Sequence, residues 1–86
     1  MATIARNILK LYVGNVPWTI GNYELRQYFS KYGHVSSVSV IFDKNTGFSK
    51  NYGFVVYSNK DGFDTATNVT NHVLEGNNLK VEPTSN

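Results

Sequence analysis

The chain has 86 residues, 41% of them hydrophobic and 16% charged, with a formal net charge of +2 and no cysteine. That length supports one core and no second domain. It also excludes a disulfide framework, a thiolate metal site and a thiol nucleophile, and cysteine-free composition fits a reducing compartment.

No apolar run approaches the roughly 20 residues of a membrane-spanning helix. The sequence pI near 9.0 is a mild basic excess that favours nucleic acid or an acidic surface as partner. The basic excess begins early, because Arg6 and Lys10 precede the first acidic residue, Glu24. An acidic-poor start hints at organelle import, although the stretch before the first strand is short for a transit peptide. Residues 1–8 read as an N-terminal arm.

KLYVGNV, Lys10 to Val16, alternates until Pro17 and predicts a first strand with Leu11 and Val13 inward and Lys10 and Tyr12 outward. From Tyr23 to Tyr32 the residues Leu25, Tyr28, Phe29 and Tyr32 recur at helical spacing. Gly21 is the expected N-cap, Glu24 the third helical residue, Ile20 a staple against Leu25, and Gly33 the stop. Val35 to Phe42 predicts a second strand, with Val38 and Val40 inward and Ser39 and Ile41 outward.

Asp43 to Ser49 has turn chemistry and makes a long-looped hairpin with the next strand. A calcium loop is disfavoured there, because Gly47 is misplaced and no bidentate Glu follows at position twelve. KNYGFVVY (50–57) predicts a third strand with Gly53, Val55 and Tyr57 buried and Tyr52 and Phe54 on the opposite face. Residues 59–71 predict a second helix anchored by Phe63, Ala66 and Val69, weakened by Gly62 and its threonines. Leu79 to Glu82 is the expected last strand, with little left to fold after Pro83.

The resulting order is βαββαβ. It predicts an α+β, two-layer ferredoxin-like sandwich: a four-stranded antiparallel sheet with two helices on one face. The other face carries Tyr12, Tyr52, Phe54, Ile41 and Val56. A bare face is ordinarily dressed with Thr, Lys and Glu, since apolar patches invite association. Single exposed aromatics are commonplace, but three on neighbouring strands call for a ligand.

LYVGNV (11–16) and KNYGFVVY (50–57) resemble the hexamer and octamer of the RNA recognition motif, in the family's order and on its first and third strands. A cold-shock domain also carries aromatic strands of this type, but in reverse order and with no helix between them. The resemblance implies a motif over residues 9–82, followed by a short tail at 83–86. It places Tyr12, Tyr52 and Phe54 on the stacking positions and Lys50 on the phosphate-pairing position. Asn51 stands where the family usually has Gly, and Asn tolerates left-handed backbone better than most residues.

VPWT, YGHV, FDKNTGF and NHVLEG (16–19, 32–35, 42–48 and 71–76) resemble a mitochondrial branch of that family. In that branch a single motif partners a pentatricopeptide-repeat protein and stabilises messenger RNA. The resemblance therefore implies a mitochondrial location, with nucleus or cytoplasm as alternatives, and a domain that is monomeric on its own.

Single-stranded or loop RNA is the expected target, bound by stacking on the aromatics. Lys10 and Lys80 share the stacking face by parity. Asn15, Ser39, Ile41 and the segment after Val81 surround it. The alternative is a protein-interaction module that docks a repeat protein. Phe48 is expected to fold back on the sheet edge, and Trp18 to pack near it. Asn68-Val-Thr70 fits a glycosylation sequon that the lack of a signal segment makes accidental. His34 and His72 have no spaced ligands around them and do not predict a zinc site. No nucleophile paired with a base, phosphate loop or carboxylate pair predicts an enzyme, and no cofactor is implied.

Overall fold

The computed structural model describes residues 9–69 and 71–84. The expected N-terminal arm, residues 1–8, and the sequon's Thr70 lie outside them. The elements are β1 (Lys10–Gly14), α1 (Asn22–Ser30), β2 (Val35–Phe42), β3 (Ser49–Tyr57), α2 (Lys60–Asn68), β4 (His72–Leu74) and β5 (Asn77–Thr84). The sheet has five strands in the order β2-β3-β1-β5-β4, with every neighbouring pair antiparallel. The ferredoxin-like α+β sandwich is as expected from the sequence, with one strand more.

The extra strand, β4, pairs with the start of β5 across Glu75 and Gly76, both in left-handed backbone. Three residues are too few to show a period, so HVL carries no readable strand signal. Strand β5 also runs further than expected, with Pro83 opposite Leu11. Because β4 covers only the first residues of β5, Pro83 sits on an open edge where its missing N–H costs no ladder bond.

Alternation along β1 and β3 sends Leu11, Val13, Val55 and Tyr57 to one face, where Leu25 and Phe29 of α1 and Ala66 of α2 complete the core. Fully burying one such side chain stabilises by about 1.5–3 kcal/mol. Helix α1 starts as its sequence implies. Gly21 is the N-cap, its N–H donates to Glu24 Oε1 at 2.9 Å, and Ile20 is buried before Leu25.

Gly33 acts differently from the expected stop. The helix ends at Lys31 in right-handed backbone. A Cβ on Gly33 would lie 2.5 Å from the Cα of Gly62, so the two glycines let α2 close onto the turn after α1. Gly62, a weakness by propensity, is thus a packing requirement. Helix α2 is shorter than expected, with Asn59 Oδ1 accepting from Gly62 N–H at 3.0 Å and Val69 already extended.

Strand β2 is an edge, and open edges invite pairing with other chains. Two side chains one turn apart on α1 engage its backbone. Asn22 Oδ1 accepts from Val40 N–H at 2.7 Å, and Arg26 Nη1 donates to the Val35 carbonyl at 2.9 Å.

Candidate nucleic-acid interface

No element covers the second face of the sheet among the described residues, and register assembles that face row by row. Tyr12 of β1 stands opposite Phe54 of β3 on one side and Glu82 of β5 on the other. Ser39 of β2 extends this row beyond Phe54. The next row runs Tyr52, Gly14, Lys80, and the row on the other side runs Ser37, Val56, Lys10, Thr84.

Tyr12, Tyr52 and Phe54 form a closed triad. Tyr12 and Tyr52 stack with centroids 5.9 Å apart, and Phe54 meets each of them edge-on at 6.0 Å. All three rings are half-buried, with a face or edge left to solvent. Gly14 makes room for this arrangement: a Cβ there would lie 2.9 Å from the Tyr12 hydroxyl and 3.0 Å from its ring. Sequence reasoning missed that role, although the Gly two residues after an outward Tyr on the same strand was a readable signal.

Lys10 lies with its ammonium 4.7 Å from the Phe54 centroid, a cation–π distance. Lys80 stands on the same face and reaches Glu82 at 3.7 Å. Lys50 is exposed at the start of β3. Ile41 is half-buried two residues beyond Ser39, where β2 and β3 fall out of simple register.

That irregularity centres on Asn51, whose φ of 67° is left-handed backbone. Its N–H donates to Ser49 Oγ at 3.0 Å and its side-chain amide to the Val16 carbonyl at 3.0 Å. Asn therefore fills the place of the family's usual Gly and ties the start of β3 to the end of β1. Asn15 is also left-handed, with φ 58°, and its amide donates to the Asn78 carbonyl at 2.8 Å. This ends β1 at Gly14, two residues short of the expected Val16. Asn15 thus braces the β1 terminus against β5, with its side chain still exposed beside the aromatic face.

Two expected placements are overturned. Phe48 does not fold back on the sheet edge: it is 68% exposed, because the loop closes through its backbone. Asp43 N–H donates to the Phe48 carbonyl at 2.8 Å, and the Asp43 carboxylate accepts from Asn45 and Thr46 N–H at 2.8 and 3.0 Å. Those donors, Thr46 first, hold the Asp43 carboxyl below its usual range. Trp18 does not pack near the sheet edge either and is 72% exposed. Its loop is held through Thr19, whose hydroxyl donates to Glu75 at 3.0 Å.

Aromatic triad, flanking cations and bare sheet face together offer what unpaired bases need: π-faces to stack on and positive charge for phosphate. A family model for the RNA recognition motif matches residues 11–80. The chain is 40% identical over 72 residues to the mitochondrial SRA stem-loop-interacting RNA-binding protein of Bos taurus, covering 84% of this chain and 65% of that one. The chain thus spans just under two thirds of that curated relative's length. Among solved structures, the RNA15 RRM superposes with a TM-score of 0.83 at 26% identity, covering 92% of each chain. The Rna15 RRM with bound RNA (GU) gives a TM-score of 0.79 at 26% identity, over 92% of this chain and 85% of that one. The order of the elements, the register of the aromatic strands and these matches lead to one conclusion: this chain belongs to the RNA recognition motif family.

Proposed function

We propose that the protein binds single-stranded RNA by stacking successive bases on Tyr12, Tyr52 and Phe54. The observation that carries this reading is the closed triad on an uncovered sheet face, with Lys10 against one of its rings. Base–aromatic stacking contributes about 1–3 kcal/mol per base and tolerates any base, since each has a π-face. Lys10 exchanges the Phe54 ring for a phosphate when a base takes its place. Lys50 and Lys80 supply the remaining charge, and Asn15 and Ile41 border the bound strand. A duplex fits poorly, because its bases are already stacked on one another.

The test compares one fluorescent octamer alone and annealed to its complement. Tight binding of the single strand and weak binding of the duplex are expected, and equal binding of both contradicts the reading. Lys50→Ala should lower the slope of log affinity against log salt by roughly 0.7, the contribution of one phosphate contact on a single strand.

The reading extends to messenger-RNA stabilisation in mitochondria beside a pentatricopeptide-repeat protein. Its support is the likeness to a relative described as mitochondrial. Trp18 and Tyr23, 72% and 70% exposed and outside the sheet, favour such a protein contact. Purification from mitochondria should recover the repeat protein, and recovery of the chain from nuclei alone argues against it.

A further inference from the structure

The sequence has six acidic residues, and five of them lie off the aromatic face. Glu24 caps α1 and Glu75 accepts from Thr19. Asp43 closes the β2–β3 loop. Asp61 and Asp64 belong to α2, where Asp64 pairs with Lys60 at 2.8 Å. Glu82 is the exception, standing on β5 directly opposite Tyr12.

Its nearest cation, Lys80, is 3.7 Å away, beyond a hydrogen bond, and the two side chains are 67% and 56% exposed for Lys80 and Glu82. Strand β4 pairs with β5 only from Asn77 to Leu79, so the described residues leave the far side of Glu82 open. A carboxylate on a phosphate-binding surface repels the backbone it should attract. At a cross-strand neighbour's distance, with Cβ atoms about 4.5–5.5 Å apart, it instead borders the rim of a base lying on Tyr12.

An ionised carboxylate only accepts hydrogen bonds, at two oxygens. Unpaired bases present their Watson–Crick edges to protein side chains. Guanine is the base that sets two donors side by side there, N1–H and N2–H₂. Uracil sets one N–H between two carbonyls, and adenine and cytosine set an amino group beside a bare ring nitrogen whose lone pair faces the second oxygen. We propose that Glu82 selects guanine for the position stacked on Tyr12, an inference that rests on the stacking function above.

The test uses the full 86-residue chain and four fluorescent single-stranded heptamers, all uridine except for a central U, C, A or G. The central-G strand should bind tightest, by about 5-fold to about 150-fold, the range of one bidentate base contact. Glu82→Gln, at an exposed site and checked for folding by circular dichroism, should remove that preference while binding to heptauridine holds or tightens. Retained G preference in Glu82→Gln overturns the assignment. So does equal binding of all four strands by the parent when Tyr12→Ala weakens each of them, a result that leaves stacking intact. If Tyr12→Ala weakens none, the stacking reading falls, and the guanine inference falls with it.

Discussion

The sheet has an aromatic cluster on each face, and the two have nearly the same internal spacing. Ring centroids lie 5.9–6.0 Å apart in the Tyr12–Tyr52–Phe54 triad and 4.9–6.3 Å apart among Tyr28, Phe29 and Tyr32. What separates them is the treatment of their polar tips and edges. On the covered side, buried His72 donates from Nε2 to the Ala66 carbonyl at 2.8 Å, which leaves Nδ1 to accept from the Tyr28 hydroxyl at 2.8 Å. Nearby, the Tyr57 hydroxyl donates to the Phe29 carbonyl at 2.8 Å. On the open side the hydroxyls of Tyr12 and Tyr52 have no hydrogen-bond partner among the described residues. A cluster whose polar groups are satisfied internally holds the fold, and one whose hydroxyl tips have no partner among the described residues is poised for a ligand.

The largest test of that difference is Phe29→Ala, which removes a fully buried ring and should destabilise by about 3–5 kcal/mol in chemical denaturation. A loss below about 1 kcal/mol would show that the covered cluster does not carry the core.

Tyr28→Phe should cost about 1–3 kcal/mol, because it removes the close donor to the buried Nδ1 of His72 and leaves it only the Tyr32 hydroxyl at 3.5 Å. Tyr12→Phe removes a hydroxyl that has no hydrogen-bond partner among the described residues, so its stability should stay within about 0.5 kcal/mol of the parent. Equal effects from the two would erase the distinction between the faces.

Gly62→Ala sharpens the packing argument by its sign. Helix propensity alone would make Ala more stable by about 1 kcal/mol. A Cβ there meets Gly33 Cα and Tyr57 Cδ1, each at 2.9 Å, so denaturation should report a loss instead.

Alkali should also act through the covered face. Burial foremost, with neighbouring tyrosines, raises the Tyr28 and Tyr57 hydroxyls well above their ordinary value of 10.0. The unfolded chain releases those protons near pH 10 while the folded one keeps them. Their contribution is therefore fully present below pH 10 and declines as pH rises beyond it. A denaturation midpoint that stays flat or rises above pH 10 would contradict this.

Much of this architecture was legible because period and family spacing agreed. Tyr12, Tyr52 and Phe54 could be placed on one face from alternation alone, and the left-handed backbone at Asn51 is compatible with the family's usual Gly there and with the tolerance of Asn for that conformation. What escaped reading depends on contacts distant in sequence. Gly33 meets Gly62 across 29 positions, His72 meets Tyr28 across 44, and neither pairing leaves a local signal. Strand β4 is too short to alternate visibly, and the exposure of Trp18 and Phe48 follows from loop hydrogen bonds rather than from their own hydrophobicity.

The most direct test of the open face is Phe54→Ala, assayed side by side for stability and for single-stranded RNA affinity across a salt series. Binding should weaken by about 1–3 kcal/mol with an almost unchanged salt slope. Stability should stay within about 1 kcal/mol of the parent, since the ring is only half-buried, on the uncovered face of the sheet. A folded variant that binds RNA as tightly as the parent would contradict the account, and the open aromatic face would then have to serve a protein partner.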